Sequence, residues 1–194
     1  MRINVSEGKL NLSQRNNERD PFNTCNVTSM IMALDYLGYD FPEGKYKNPV
    51  DNFHFFMTEQ NLRPTWHFEL SRATNLWMDK KVTDFATGRS INAIFNELKN
   101  DRPVVLSGDF PGYPTVRTTP LGHIVVLVGA EWDSAESENP KSIIIDDPYG
   151  DTLDDWRGCG NDIVLSWDQF IAWFKDRDST TTKWGHFFRK PAEL

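Results

Sequence analysis

Apolar side chains recur along this chain in two different rhythms. Over residues 25–37 they fall at Val27, Met30, Ile31, Leu34 and Leu37, three or four positions apart, which predicts an amphipathic helix. Asn23 or Thr24 can cap its start and Gly38 ends it. Two further helices are expected near 51–60 and 69–80, either side of Arg63-Pro64. A fourth opens on the cap Ser90, turns Ile91, Ile94, Phe95 and Leu98 inward, and closes at Asn100-Asp101 before Pro103. Beyond Pro103 the rhythm changes. Residues 104–106, 124–128 and 143–145 are short β-branched runs bounded by Gly, Pro and Asp, and read as buried strands, with 163–165 as a fourth. Ser166-Trp167-Asp168-Gln169 is a capping box that opens a helix reaching Phe174, and 184–188 reads as a last strand. Helices first and strands later predict an α+β domain, taken as one unit over residues 1–194, with 1–22 as a polar, extended lead-in.

The stretch 132–141 is charged and holds Ser134, Asn139 and Pro140, so it reads as a turn. If 124–128 and 143–145 form an antiparallel hairpin centred near residue 135, positions summing to 270 face each other. His123 then lies opposite Asp147 at the open end, while Asp146 lies opposite Ile124 and points to the other face. A slip of one residue exchanges the two aspartates; Asp147 is preferred and Asp146 is the alternative.

These positions carry a recognisable chemistry. Cys25 sits at a helix start, where unpaired amides and the dipole favour negative charge. An imidazolium nearby favours the thiolate as well, and the thiolate is the form that attacks carbonyls. A thiol, a histidine at a strand start and an aspartate at a strand end, in that order, form a candidate Cys-His-Asp triad: Cys25, His123 and Asp147. An oxyanion needs donors, for which the Cys25 backbone N–H and a side-chain amide from the lead-in serve. Gln14 is the candidate amide, with Asn16, Asn17 and Asn23 as rivals.

Composition narrows the classes. Apolar residues make up 39% of the 194, aromatics 13% and charged residues 25%, a globular balance too aromatic for disorder. A net charge of −7 argues against a general nucleic-acid binder, because phosphate contacts need a basic face. Two cysteines give no disulfide framework, and unpaired thiols in a reducing compartment fit better than a Cys25–Cys159 bridge. The N-terminal residues lack the apolar core of a signal peptide, and no apolar run approaches a membrane span. The expectation is synthesis as a soluble cytoplasmic species, any passage to the cell wall needing another route. His54, His67 and His186 lack ligand spacing with the cysteines, and Asp146, Asp147, Asp151, Asp154 and Asp155 lack that of a calcium loop, so no cofactor or metal is expected. Cys159, in a Gly-flanked loop, reads as incidental.

With these residues in hand, the chain resembles the papain-like cysteine peptidases, on the branch related to the bacteriocin leader-processing peptidases and found in bacterial and phage proteins. The matching pieces are Gln14, Thr24-Cys25-Asn26-Val27-Thr28-Ser29, Leu34-Asp35-Tyr36-Leu37-Gly38, the run from Gly122-His123-Ile124 to Gly129, and Asp147-Pro148-Tyr149-Gly150. The resemblance implies a papain-like fold, a helix carrying the nucleophile packed on an antiparallel sheet. It implies Cys25 as nucleophile, His123 as base, Asp147 as orienting acid and Gln14 as oxyanion donor. Many relatives carry Cys-Gly-Pro where this chain has Cys25-Asn26-Val27, and the exporters of the superfamily carry a fused transporter that this chain lacks. The expected function is therefore a stand-alone hydrolase of amide or peptide bonds, acting on peptidoglycan peptides or a protein. A catalytically silent binding or inhibitor module, and an acyl transferase using the same triad, are the alternatives.

Overall fold

The computed structural model describes residues 1–6, 9, 12–110, 121–134, 137–176 and 181–194. A seven-stranded sheet, antiparallel at every pairing, organises them. Its central strand β4 (Leu121–Glu131) lies between β3 (Val104–Phe110) and β5 (Ser142–Asp146). Outside β3 come β7 (Thr182–Phe188) and then β2 (Thr83–Ser90), and outside β5 comes β6 (Ile163–Ser166). The short β1 (Arg2–Asn4) pairs with the far end of β4, Asn4 opposite Gly129, past the point where β3 stops at Leu127.

Both faces of the sheet are covered, which explains why the central strands are apolar at consecutive positions instead of alternating. Val105, Ile124, Val126, Val128 and Ile144 meet α1 (Cys25–Tyr36), α2 (Pro49–Glu59) and α3 (His67–Trp77). Val104, Leu106, Val125, Leu127, Ile143 and Ile145 meet α4 (Ile91–Lys99) and α5 (Trp167–Trp173). Phe170 and Phe174 are fully buried in that second layer. Helix α1 is buried without a break from Asn26 to Leu34, as a helix enclosed by both sheet and helices must be. It ends at Gly38, whose φ of +79° only glycine adopts without strain and whose N–H bonds the Asp35 carbonyl. None of the described helices is long and apolar enough to cross a membrane.

Several expectations need correction. The lead-in is not simply extended, since it contributes β1 and a single 3-10 turn at Gln14–Asn16. Neither Asn23 nor Thr24 caps α1 with its side chain: Thr24 holds the cap position, but its hydroxyl accepts from Asn17, and Asn23 donates to Asp20. Helix α3 begins at His67 and ends at Trp77, two to three residues earlier than the spacing suggests. Strand β2 is new. The hairpin register differs too. Val126 faces Asp146 and Leu127 faces Ile145, so partners sum to 272, and after an irregularity at Val128 Gly129 faces Ile144. The assumed centre near residue 135 lies outside the described residues.

Candidate active site

Cys25 is the first residue of α1 and half-buried, so its amide has no acceptor within the helix. Two contacts fix the helix start. Asn26 donates to the Pro64 carbonyl at 2.6 Å and accepts from the Val27 amide at 2.8 Å, tying the first turn to the loop before α3. One turn on, Ser29 donates to the Ile124 carbonyl at 3.1 Å, tying the helix to the strand that carries the histidine. Both cysteines, Cys25 and the exposed Cys159, are free thiols.

His123 lies near the start of β4, opposite Gly108 of β3, and is buried. Its Nε2 stands 2.8 Å from Asp147 Oδ1, in the residue that follows β5. The register offset of two from the expected pairing keeps Asp147 on the face of His123, since side chains alternate and only an odd slip exchanges faces. Asp146 does point the other way, accepting from the Tyr36 hydroxyl and the Asp162 amide, both at 2.8 Å. Phe110 and Trp156 stand nearly perpendicular to the imidazole, at 5.3 and 4.9 Å between centroids, and hold its plane. With Nε2 engaged by Asp147, Nδ1 is left for Cys25, whose side chain hydrogen-bonds the ring. Burial alone pushes the imidazolium down. The Asp147 carboxylate, the Cys25 sulfur and their hydrogen bonds outweigh it, and the His123 pKa rises to about 10.

Asp147 is itself held from three sides. Its Oδ1 also accepts from the Tyr149 amide at 2.8 Å, and its own amide donates to the Gly160 carbonyl at 2.7 Å. Gly160 runs so close that a Cβ there would overlap the Asp147 carbonyl.

Among the four candidate amides, Gln14 is the one that lies buried in this cleft. Its backbone amide bonds the Pro148 carbonyl at 2.8 Å, which attaches the lead-in beside Asp147. Its Nε2 donates to Pro21 O at 2.9 Å and retains a second hydrogen, while Oε1 has no partner among the described residues. Asn17 has both amide hydrogens engaged, by Thr24 at 2.9 Å and Thr28 at 3.1 Å. Asn16 is exposed; Asn23 also lines the cleft, but at its exposed edge, with one amide hydrogen on Asp20.

Gln14, Asn23, Cys25, Asn26 and His123 line one cleft of about 600 Å³, together with Phe22, Thr65, His67, Ser107, Tyr149 and Trp156 among others. Neither Trp156 nor the place of His67 in the cleft is legible in the sequence. Trp156 follows a run of acidic turn residues, and its φ of +61° places it in a loop no periodicity describes. His67 is 119 residues from its partner His186, so spacing could not join them.

The Peptidase_C39 like family matches residues 10–170 of this chain, a span that contains the whole arrangement from Gln14 to Gly160. The chain is also similar to the protein YvpB of Bacillus subtilis (strain 168), itself described as uncharacterized. The two are 26% identical over 149 residues, covering 66% of this chain and 59% of YvpB. A cysteine-bearing helix on an antiparallel sheet is consistent with the papain-like peptidase fold, and with the family match spanning most of its length the chain belongs to the Peptidase_C39-like family, of cysteine peptidase type.

Proposed function

We propose that this protein hydrolyses amide or peptide bonds through a thioester on Cys25, with His123 as general base and acid, Asp147 orienting the ring and Gln14 helping to stabilise the oxyanion. One observation supports the reading above others: His123 lines the same cleft as the first-turn Cys25 and is backed by a buried 2.8 Å contact to Asp147. The Cys25 thiol gives its proton to His123 Nδ1, and the sulfur attacks the carbonyl carbon. The carbonyl electron pair moves to oxygen, which accepts hydrogen bonds from the Cys25 N–H and from the second Gln14 Nε2 hydrogen. Collapse breaks the C–N bond as the imidazolium protonates the leaving amine. A histidine with a pKa raised to about 10 holds that proton in readiness at neutral pH. Water, deprotonated by the now neutral His123, then attacks the thioester and releases a carboxylic acid and the thiol. Asp147 keeps Nε2 occupied throughout, so Nδ1 always faces the sulfur.

The substrate is a peptide, with peptidoglycan stem peptides and protein segments as the two pools to screen. The test is iodoacetamide labelling of Cys25 across pH, read by intact mass in a Cys159→Ser background. Labelling that persists near about pH 6 and is lost in His123→Ala supports the reading, because only an activated thiol reacts there. An ordinary thiol profile, the same in both proteins, overturns it.

A further inference from the structure

The cleft holds a second histidine that the reaction above leaves unused. His67, the first residue of α3, lines it with Cys25 and His123. Its Nδ1 lies 3.0 Å from Nε2 of His186, a fully buried residue of β7 that faces Phe85 of β2 and Val105 of β3. The His67 ring stacks on Phe85 at 4.6 Å with 7° between planes, and Phe85 in turn packs against His186 and the edge of Phe68. Stacking and the hydrogen bond together leave the imidazole one orientation.

That arrangement also decides where the protons are. One ring donates across the 3.0 Å contact and the other accepts. His186 Nδ1 is buried with no partner among the described residues. A proton on that atom would be a buried N–H without an acceptor, the rarest kind of unsatisfied group. With the proton on His186 Nε2, only a lone pair goes unmet, and His186 donates to His67 Nδ1. His67 then carries its own proton on Nε2, the nitrogen that His186 does not occupy. Both rings stay neutral. Burial lowers the His67 and His186 pKa values, helped by Lys175 for His67 and by His67 for His186.

We propose that His67 is a substrate-binding residue of the Cys25 cleft, its Nε2–H donating to a carbonyl oxygen of the bound peptide, and that His186 is the positioning residue that fixes this tautomer. The proposal rests on the Cys25 hydrolase reading and adds a binding contact to it. A neutral, oriented donor suits a peptide carbonyl, which is neutral and accepts from one side. Rigidity matters here because a donor already held in place loses little entropy when the substrate arrives.

The experiment compares two electrophiles that alkylate Cys25: an N-acetyl-dipeptidyl chloromethyl ketone, which offers peptide carbonyls, and iodoacetamide, which offers no peptide chain. In His67→Phe, which keeps the stack on Phe85, the ketone should react roughly three- to tenfold more slowly through a raised KI, as expected for one neutral hydrogen bond. Its maximal rate and the iodoacetamide rate should not change, and His67→Gln should recover most of the loss. Long-range 1H–15N correlation spectra of the wild type should show both His67 and His186 protonated at Nε2. An unchanged KI in His67→Phe, an equal slowing of both reagents, or a His186 protonated at Nδ1 overturns the proposal while the hydrolase reading stands. A wild type whose labelling does not depend on His123 removes both.

Discussion

Ser29 donates a 3.1 Å hydrogen bond to the carbonyl of Ile124, so one turn beyond Cys25 the helix is fastened one residue beyond His123. The bond therefore couples the helix that carries Cys25 to the strand that carries His123 without touching either side chain. Ser29→Ala should cost about 1 kcal/mol of stability, the net value of one buried hydrogen bond. It should also slow iodoacetamide alkylation of Cys25 several-fold with unchanged secondary structure. Circular dichroism and intact-mass kinetics check both effects.

Gln14 tests the oxyanion assignment separately from thiol activation. Alkylation by iodoacetamide passes through no tetrahedral oxyanion, whereas amide hydrolysis does. Gln14→Ala should lower kcat by about 10²-fold, the loss seen when one oxyanion donor is removed. The Cys25 alkylation rate should stay at the wild-type value. A parallel fall in both would mean that Gln14 serves only to hold the lead-in against Pro148.

Adjacent aspartates should fail in different ways. Asp147→Ala frees His123 Nε2 and should cut turnover by at least about 10²-fold while the chain still folds. Asp146→Ala strips an acceptor from the Tyr36 hydroxyl and the Asp162 amide and should cost about 1–3 kcal/mol, with activity per folded molecule kept. Urea unfolding and turnover, measured on both variants, separate the two. Equal activity losses would contradict the division.

Stability should peak near neutral pH. Burial, with the nearby His67, lowers the His186 pKa well below 6.5, so the folded chain keeps this ring neutral. Above about pH 6.5 nothing is lost. Below it the unfolded chain binds a proton that the fold refuses, and stability falls by up to about 1.4 kcal/mol per pH unit for that one group. His54 and His67, lowered chiefly by burial, push the same way, while Asp146, raised chiefly by burial, opposes them nearer its own range. His123 has the opposite sign. Its raised pKa contributes stability that is complete below about 6.5 and disappears as pH climbs toward about 10. Denaturation midpoints at about pH 5, 6.5 and 9 should be highest in the middle, and a flat series would refute the assignment.

What the sequence revealed depended on how each segment is covered. The strand runs at 104–106, 124–128 and 143–145 were readable because helices bury them from both sides and make them uniformly apolar. Strand β2 was not, because its last four residues are exposed at the sheet edge and its order comes from pairing with β7. Strand β1 is three polar or half-buried residues whose partner lies about 130 positions away. The hairpin pairs at a sum two higher than a centre near residue 135 implies, and parity alone keeps His123 and Asp147 on one side. Local chemistry was easier to read than tertiary pairing, as the neighbouring rings of His67 and His186 show.

Gly160 has no side chain and lies thirteen residues from Asp147, which it abuts. Its value to the molecule is the room it leaves. Any side chain there would press on the Asp147 backbone, and through the carboxylate on the imidazole, so activity would fall without any loss of a reacting group. When the cleft is diversified, position 160 therefore belongs with Cys25 and His123 among those held constant, while the exposed rim around Phe22 is the place to vary.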